Sequence, residues 1–481
     1  MKKKVKKRIE VPLLEALRKY GGRDSVRFHM PGHKGREWGR VFKDLKESLY
    51  NWDVTEIPGL DDLHQPRGPI KRAQEKLAMI YGADNSYYLV NGASSGVIAM
   101  MGAVLEPGDE ILISRGSHRS VLSGLILTGA RPVYVMPEKD EDLGVYTQVT
   151  LKAVAEALNK SPKVKGVFLT SPVYQGFCPD LPAISSLVHD KKSVLLVDEA
   201  QGPHFGFSSA LPSGAGRFAD AWVQSPHKML TSFTQSAWLH VKGNRIDRER
   251  LKHHLRLVTT TSPSYVLMAS LDVARAVMEA RGNVLTERAL ELADNARRCI
   301  NKFTHFYCVG QEIRGQKGIY DIDLSRLMVN VSRAGYTGYE VEKILRKRFN
   351  IYAEYADLYN IYFLVTFSNT KSDIRQLIRA LSRLKARAEL QKLIPWPDKL
   401  PRKVLEPRDA FYSQGEYLSL KHSQGRIIKE ALVPYPPGIP LLMPGEVMEE
   451  EHIDLLTALI KSEGYCQGMT PEGFVQVVPG T

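Results

Sequence analysis

The sequence predicts an α/β protein whose large domain holds a mostly parallel β-sheet covered by helices. Near-continuous apolar runs, such as EILIS (110–114) and VKGVFLT (164–170), alternate with helical stretches such as LKAVAEALNK (151–160). Runs that are apolar along their whole length are typical of strands buried on both faces of a parallel sheet. The helices between them would form the crossover connections that parallel strands need.

The alternation begins near residue 86 and continues to residue 242. The apolar runs predict strands at 86–90, 110–114, 131–136, 164–170, 193–200, 219–225 and 236–242. The stretches between them that have helical spacing predict helices at 97–105, 115–129, 151–160 and 181–190.

The length of 481 residues predicts two or three domains. A long helical stretch (268–303) leads away from the large domain, and residues 304–390 mix strands with helices as a small α/β domain would. The polar, proline-rich stretch 396–409 is typical of a linker. We therefore predict four parts: an N-terminal segment (1–60), the large domain (61–275), the small α/β domain (276–392) and a C-terminal domain (393–481).

Composition argues against several classes of protein. No apolar run approaches the roughly 18–20 residues of a membrane span, and the basic N-terminus lacks the apolar core of a signal peptide. We therefore expect a cytoplasmic protein with no membrane partner. The cysteines are far apart and form no CxxC, which predicts neither a disulfide framework nor a metal site: Cys178, Cys299, Cys308 and Cys466.

The formal net charge of +13 raises the question of nucleic-acid binding. Lysines and arginines are spread along helical stretches, however, and the one dense block, KKKVKKR (2–8), is terminal. No nucleic-acid-binding motif occurs. A solvated basic surface is the simpler interpretation, and we expect no nucleic-acid partner.

Chemically capable side chains follow several predicted strands at their carboxyl ends, which is where ligands bind in open α/β sheets. Small and hydroxyl residues follow the first strand at the start of a helix, where free N–H groups favour an anion. An imidazole, a carboxylate and a lysine follow three later strands. The residues concerned are Gly92, Ala93, Ser94, Ser95, Gly96, His118, Asp198, Ser225, His227 and Lys228.

Pyridoxal phosphate (PLP) is a cofactor that uses all of these groups together. A lysine forms a Schiff base with its aldehyde, a carboxylate keeps its ring nitrogen protonated, and a helix N-terminus holds its phosphate. Taken singly, His118 is more typical of a surface helix and Asp198 of a helix cap or metal ligand. Asp198 with Glu199 also suggests the acidic pair of an NTPase, but no GxxxxGK[ST] loop occurs.

At these residues the sequence resembles the Orn/Lys/Arg decarboxylases, bacterial enzymes of PLP fold type I, the aspartate-aminotransferase fold. The resemblance covers nearly the whole chain. Within the family, the sequence is similar to the short arginine-decarboxylase-like branch of Gram-positive bacteria. Its motifs are FHMPGHKG (28–35), DVTEIPGLDDLHQPRGPI (53–70), VNGASSG (90–96), SRGSHRS (114–120), VDEAQGPHFG (197–206), SPHK (225–228), TTTSPSY (259–265) and PYPPGIPLLMPGE (434–446).

The resemblance implies a role for each matching residue. Lys228 would be the Schiff-base lysine, Asp198 the partner of the ring nitrogen, and His118 the residue stacked on the ring. His227 could assist proton transfer. The phosphate would be held by Ser94, Ser95 and Ser225 with Ala93 at the same turn, and Ala200 would pack under the ring.

The resemblance also implies a homodimer or higher oligomer with the active site at the subunit interface. Thr260 would then reach the phosphate of the cofactor in the partner subunit. Glu446 is a candidate for binding the distal cation of the substrate, beside the other acidic candidates Glu56, Asp61 and Asp62.

The sequence departs from the family motif DEAHGAH at two positions. Gln201 replaces the first histidine and Pro203 the alanine, and the phosphate turn has Ser94 where threonine is commoner. Serine keeps the hydroxyl group of threonine, so we expect the difference at Ser94 to have only a mild effect on the phosphate turn. Gln201 lacks an ionisable group, and we expect it to affect the choice of substrate.

The expected reaction is α-decarboxylation of a basic amino acid, ranked as arginine, then lysine, then ornithine, feeding polyamine metabolism. Alternatives are another fold-type-I enzyme or a diverged PLP-binding or nucleic-acid-binding protein without catalysis. An aminotransferase would need an arginine in the small domain, for which Arg333 is the residue to examine. A desulfurase would need a reactive cysteine, for which Cys466 is a faint candidate.

Overall fold

The computed structural model describes four isolated positions before residue 25 and the ranges 25–36, 49–387, 396–435, 438–462 and 464–480. The basic block 2–8 and part of the proline-rich motif (436–437) lie outside these ranges. Among the residues described, no helix combines the length and the apolar character that crossing a bilayer requires. The same residues contain no group of three or more His, Cys, Asp or Glu side chains arranged to hold a metal ion.

A seven-stranded sheet forms the centre of the large domain, as the sequence predicts. Its strands are β1 (Asn85–Leu89), β2 (Glu110–Ser114), β3 (Arg131–Val135), β4 (Val164–Thr170), β5 (Val194–Asp198), β6 (Ala221–Gln224) and β7 (Ala237–Val241). Their order across the sheet is β1-β7-β6-β5-β4-β2-β3.

The sheet is mixed because β7 runs antiparallel to both of its neighbours, while the other four pairings are parallel. The connection from β6 to β7 spans only residues 225–236, which is about the minimum length of a crossover connection and contains only a four-residue helix. The turn that carries Lys228 therefore leads straight back into an antiparallel strand.

Helices cover both faces of this sheet and continue through the rest of the chain. They are α1 (Leu49–Trp52), α2 (Pro69–Tyr81), α3 (Gly92–Val104), α4 (Ser120–Thr128), α5 (Leu151–Lys160), α6 (Leu181–Asp190), α7 (Pro226–Met229), α8 (Arg248–Val258), α9 (Tyr265–Phe303), α10 (Gly338–Phe349), α11 (Lys371–Leu381), α12 (Pro407–Tyr412) and α13 (Glu450–Lys461).

The bounds of α5 and α6 coincide with the predicted helices because both starts carry side-chain caps. The Thr150 hydroxyl accepts a hydrogen bond from Ala153 N (3.2 Å), and the Asp180 carboxylate accepts one from Ala183 N (3.1 Å). Such caps satisfy amide groups that a helix leaves unpaired at its start.

The 39-residue helix α9 crosses the predicted boundary between residues 275 and 276 without a break. Near its start, Leu271 and Met278 pack in a core with the large domain. Near its end, Ala293 and Ile300 pack in the core of the small domain. The two domains therefore share one continuous helix.

The small domain contains an antiparallel sheet of order β8-β9-β11-β10, with β8 (Tyr307–Cys308), β9 (Arg326–Asn330), β10 (Tyr355–Ala356) and β11 (Asn360–Leu364). Part of the predicted N-terminal segment belongs to this domain. Val26–Arg27 pairs in parallel with Ile351–Tyr352, and Phe28 packs edge-on against Phe363 in the same core.

The C-terminal part pairs β12 (Glu416–Ser419) with β15 (Phe474–Val477), and β13 (Val433–Tyr435) with β14 (Tyr465–Gln467). Further two-residue strands pair Lys139–Asp140 with Val145–Tyr146 and Phe177–Cys178 with Asp321–Ile322.

The stretch predicted as a linker (396–409) is packed against the protein at both ends. Trp396 Nε1 donates a hydrogen bond to Gly144 O (2.7 Å), and Lys403 forms a β-bridge with Glu446. The prolines of this stretch restrict its backbone. The stretch that connects the small and C-terminal domains is therefore packed against the protein at Trp396 and Lys403.

Gly96 lets α3 lie close to the sheet, and this close approach can be tested. A Cβ atom at Gly96 would lie 2.6 Å from Val223 Cγ1 and 2.7 Å from Leu89 Cδ1. We expect Gly96→Ala to lower the free energy of unfolding by roughly 1–3 kcal/mol, as overpacking does in close-packed cores. Urea denaturation measures the change.

Gly214→Ala is the matched control, because its new methyl group would meet no atom closer than 3.6 Å and its φ of −65° suits alanine. We expect it to change stability by less than about 0.5 kcal/mol. Equal effects of the two substitutions would contradict the packing assignment.

Candidate active site

A cavity of about 230 Å³ lies at the carboxyl ends of the central strands. It brings together most of the residues that the sequence singles out, which lie on β4 to β6, on the start of α3 and on the loop after β2. The predicted residues that line it are Ala93, Ser94, His118, Asp198, Ala200, Gln201, Ser225, His227 and Lys228. Gly92, which the sequence also singles out, lines it too, and the others are Gly116, Ser120, Thr170, Pro172, Val173, Tyr174 and Ile439.

Lys228 lies on the single turn α7, directly after β6. Its Nζ atom is 5.4 Å from the centre of the Tyr174 ring. Removal from water lowers the pKa of this amine to about 8, although the nearby Asp198 carboxylate partly opposes the shift. About a tenth of the Lys228 amine is therefore neutral, and nucleophilic, at pH 7, far more than for a free lysine.

The N-terminal motif supports the turn that carries this lysine. Gly32 N donates a hydrogen bond to His227 O (2.8 Å), and a Cβ atom at Gly32 would clash with the Leu230 carbonyl oxygen. Only glycine allows the two backbones to approach this closely. The Gly32 carbonyl in turn accepts a hydrogen bond from Thr366 Oγ1 of the small domain (2.7 Å).

Asp198 ends β5 and is 5% exposed. One carboxylate oxygen accepts a hydrogen bond from Ala200 N (2.9 Å), which closes the turn after the strand. Burial raises the pKa of Asp198, while the Lys228 ammonium and the Ala200 hydrogen bond act in the opposite direction. The buried carboxylate can therefore hold a proton on a basic partner within the cavity.

The hydrogen bonds of the two histidines fix their tautomers. Ser120 N donates to His118 Nδ1 (3.2 Å), so the proton of the neutral ring lies on Nε2. His227 Nδ1 lies 2.8 Å from Ser236 O, which can only accept, so here Nδ1 carries the proton. Burial and the Lys228 charge lower the pKa of His118 to about 3 and that of His227 to about 4, so both rings are neutral at pH 7.

The sequence predicts an anion site at the start of α3. Its N-cap residue, Asn91, makes no side-chain cap; the Asn91 amide instead donates to Val258 O (2.9 Å). The first amide groups of the helix are thus left for a ligand. Ser94 lines the cavity, whereas the buried Ser95 does not, because its hydroxyl donates to Gly92 O (2.8 Å).

Four predicted substrate or interface positions lie elsewhere in the single chain. Thr260 is exposed, and its carbonyl lies 3.0 Å from His64 Nε2. Asp61 caps a turn by accepting hydrogen bonds from Arg67 N (2.7 Å) and Gly68 N (2.6 Å). Neither residue lines the cavity, and neither do Glu56 and Asp62.

The structure does not bring Glu446 to the cavity either. Its carboxylate is 1% exposed and forms a salt bridge of 2.7 Å with the buried Arg115, which also donates hydrogen bonds to Pro440 O and Leu441 O. An ion pair of this kind neutralises the carboxylate internally. Glu446 therefore anchors the loop that places Ile439 in the cavity wall, and the prediction that it meets the substrate cation does not agree with this placement.

Sequence reasoning missed Arg326, which lies next to the cavity on β9. Its Nη2 atom donates to both Gln201 O (2.7 Å) and Gln201 Oε1 (2.9 Å), and its Nε donates to Asp323 (3.0 Å). An arginine at the start of a largely apolar strand is the signal that could have revealed it, because arginine is rarely buried without partners. Arg333, the small-domain arginine chosen from sequence, is 58% exposed and does not line the cavity.

The missed wall residues divide into two kinds. Thr170 ends β4 in register with Asp198, so the strand-end argument applied to β4 would have found it. Tyr174 and Ile439 carry no comparable signal, because they lie in loops whose course the sequence does not indicate.

Cys466 is 1% exposed, and burial raises the pKa of its thiol to about 12, which argues against a reactive cysteine there.

Two domain models and several relatives match this chain. The model described as "Orn/Lys/Arg decarboxylase, major domain" matches residues 11–326, and that of the family's C-terminal domain matches residues 388–476. The arginine decarboxylase of Bacillus subtilis is 39% identical over 458 residues, an alignment that covers 93% of each chain.

Solved structures share the fold at lower identity. The Francisella novicida lysine decarboxylase superposes with a TM-score of 0.76 at 21% identity, covering 97% of this chain and 81% of the other. A lysine-to-alanine variant of a serine palmitoyltransferase from S. paucimobilis, solved with a bound PLP–myriocin aldimine, gives a TM-score of 0.57 at 13% identity over 75% and 87% of the chains. The chain has the fold of type I PLP enzymes and belongs to the Orn/Lys/Arg decarboxylase family.

Proposed function

We propose that this protein catalyses the PLP-dependent α-decarboxylation of a basic amino acid, with arginine as the first candidate and lysine or ornithine next. The observation that carries the proposal is the cavity in which Lys228, Asp198 and His118 meet the start of α3. Family membership and the similarity to the Bacillus subtilis arginine decarboxylase support both the reaction and the ranking of arginine.

The residues of the cavity fit PLP. The amine of Lys228 suits its aldehyde, the Asp198 carboxylate suits its ring nitrogen, and the uncapped start of α3 suits its phosphate. Two buried polar atoms in the cavity wall, Thr170 Oγ1 and Gln201 Nε2, have no hydrogen-bond partner among the described residues. Buried polar groups of this kind indicate a polar ligand.

Bound PLP would supply an electron-accepting ring for the pair of electrons left when CO₂ departs. Lys228 would hold the cofactor, yield its place to the substrate amine, and later return to release the product. Asp198 would keep the proton on the ring nitrogen, because its carboxylate is buried and has few competing partners. His118 would pack on the ring as a neutral imidazole, which adds no charge to the site.

His227 is suited to moving a proton close to Lys228. The Ser236 carbonyl holds the His227 Nδ1–H, so Nε2 presents a lone pair. Pro172, Val173 and Ile439 form an apolar part of the cavity wall. An apolar wall would hydrate a charged carboxylate poorly, which favours its conversion to neutral CO₂.

The proposal includes a homodimer with the active site at the subunit interface. None of the acidic residues singled out from sequence for the substrate cation lines the cavity of one chain. Thr260 is exposed in the single chain, as a residue that reaches the partner subunit's cofactor would be. A second copy would then complete the site, in a cytoplasmic enzyme that contributes to polyamine formation.

An aminotransferase is less well supported. That reaction needs an arginine free to bind the substrate carboxylate, and Arg326 is the buried small-domain arginine beside the cavity. Its guanidinium is already bonded to Asp323 and Gln201. It therefore has little capacity left for a substrate.

The proposed reaction is tested with purified protein loaded with PLP. We expect a visible absorption band from the lysine-bound cofactor, and equal amounts of CO₂ and amine from arginine in preference to lysine or ornithine. Lys228→Ala should abolish the band and lower the rate by at least roughly 10²–10⁴-fold, the usual value of a positioned acid–base group alone. A wild-type band without CO₂ from any of the three amino acids would rule out the decarboxylase proposal.

The pKa of Lys228 gives a second test. Because the neutral amine reacts with PLP, the rate at which apoprotein gains the visible band should rise with pH through about 8 instead of about 10.4, the value for free lysine. Stopped-flow absorbance at a series of pH values measures this midpoint. Asp198→Asn removes a charge that favours the ammonium form, so its midpoint should lie lower than that of the wild type. A midpoint near 10, or an upward shift in the variant, would contradict the assignment.

A further inference from the structure

A second cavity lies where the small domain, the C-terminal domain and the hairpin 139–146 of the large domain meet. Leucines of α13 and the turn between β10 and β11 supply much of its wall. Its volume is about 60 Å³, which is room for about four to six water-sized groups. Ile439 lines this cavity and the one around Lys228, and the two cavities have no other wall residue in common.

Two aromatic side chains, Tyr146 and Trp396, form one part of the wall. Their ring centres lie 5.2 Å apart. The Tyr146 hydroxyl donates to Pro397 O (2.6 Å), and Trp396 Nε1 donates to Gly144 O (2.7 Å). Because these polar atoms are already bonded to main-chain oxygens, the two residues contribute ring surface to the cavity. Aromatic rings attract cations placed over their faces.

Asp357 contributes a carboxylate to the same wall, from the turn between β10 and β11. Its Oδ1 atom closes the turn by accepting hydrogen bonds from Tyr359 N and Asn360 N (both 2.8 Å). Its Oδ2 atom accepts one short hydrogen bond, from the Tyr362 hydroxyl (2.8 Å), and a long one from Asn360 Nδ2 (3.4 Å). Oδ1 is therefore used by the fold, whereas Oδ2 keeps capacity for a further donor.

The charge of Asp357 has no counterpart in the protein. Within the described ranges it forms no ion pair, and no lysine, arginine or histidine described by the structure lines the cavity. Burial raises the pKa of Asp357 to about 6, and the groups that oppose this rise are uncharged hydrogen-bond donors. Most of the carboxylate is therefore ionised at pH 7. A charge taken out of water without a partner is costly, which indicates a cation from outside the chain.

Gln175 adds a second acceptor to the cavity. The residue is 7% exposed and lines the wall, and its Oε1 atom is buried without a hydrogen-bond partner among the described residues. The cavity thus combines a carboxylate oxygen, an unpaired amide oxygen and aromatic surface. A ligand that matches this set carries a positive charge and only donates hydrogen bonds, as a guanidinium or an ammonium group does.

We propose that this cavity is a binding site, separate from the Lys228 cavity, for the cationic head of an alkylguanidine or alkylamine. Asp357 would balance the charge of the head, Gln175 Oε1 would accept one of its N–H groups, and the rings of Tyr146 and Trp396 would pack against it. The amines formed by decarboxylation of arginine, lysine or ornithine have such heads. The identification of the ligand as a product amine therefore rests on the proposed function.

The test uses butylguanidine and isothermal titration calorimetry of the PLP-loaded protein. Butylguanidine has no primary amine, so it does not form a Schiff base with PLP. Butylurea has nearly the same shape and carries no charge. We expect one butylguanidine to bind per chain, and butylurea to bind at least about 10-fold more weakly, since it makes no charged contact with the carboxylate.

Asp357→Asn is the sharpest variant, because it keeps an oxygen for the turn and removes the charge. It should weaken butylguanidine binding by about 10- to 100-fold, as loss of a hydrogen bond to a charged group does. Gln175→Leu removes an uncharged acceptor and should weaken binding by roughly 2- to 10-fold. Asp180→Asn is the matched control, since Asp180 caps α6 and does not line the cavity. The control should bind butylguanidine as the wild type does.

A second arm examines whether the site is separate from the active cavity. Apoprotein is filled with the borohydride-reduced adduct of PLP and arginine, which places the whole substrate beside Lys228. Butylguanidine should then bind with the affinity it has for the PLP-loaded protein. Loss of binding in the filled protein would show that the distal cation of the substrate takes up this space, and a separate site would be excluded.

Equal binding of butylguanidine to the wild type and to Asp357→Asn, or equal binding of butylguanidine and butylurea, would overturn the proposal. So would an absence of binding to the wild type. None of these results bears on decarboxylation, which is measured by CO₂. Conversely, a wild type that releases no CO₂ but binds butylguanidine through Asp357 would refute the proposed function and leave the cation site in place.

Discussion

The active-site region depends on the interaction between one buried amine and one buried carboxylate. Lys228 loses hydration in the cavity, which lowers the pKa of its amine to about 8. The nearby Asp198 carboxylate limits this fall in pKa. The backbone of the sheet, and not the side chains themselves, determines where these two groups lie. Asp198 ends β5 and Lys228 lies on the turn that follows β6, and these two strands pair in parallel, so the backbone fixes the spacing of the two charges. The remaining cavity residues surround these two groups, whose separation the sheet already sets.

Support for this pair comes from parts of the chain that are distant in sequence. The N-terminal motif bonds to the lysine turn through Gly32, and Met30 N bonds to Glu354 of the small domain (2.7 Å). Arg115 and Glu446 attach the C-terminal loop to the turn after β2. The cavity is thus bounded by the large and C-terminal domains and braced from the small domain, although its reactive groups come from the large domain alone.

The sequence predicted those features that a local pattern determines. Apolar runs located the seven strands, and their ends located Lys228, Asp198 and His118. Pairing direction and tertiary partners were less accessible, because they depend on contacts between distant residues. The antiparallel β7 follows from a short connection, and Arg326 reaches the cavity from another domain. The distance of Glu446 from the cavity of the single chain was inaccessible for the same reason, since its carboxylate pairs with Arg115, a partner 331 residues away.

The hydrogen bond from Gly32 to His227 has a consequence for biosynthesis. The strand that precedes it, Val26–Arg27, has no partner until Ile351–Tyr352 has been made, and the Gly32 carbonyl is bonded only once Thr366 has followed. A ribosome therefore releases the whole large sheet before the lysine turn can be braced. Domains of a growing chain generally fold from the N-terminus onward. Residues 26–32 are synthesised before the sheet but gain these partners only after residue 366 has been made, so the contacts that support the lysine turn are completed late in translation.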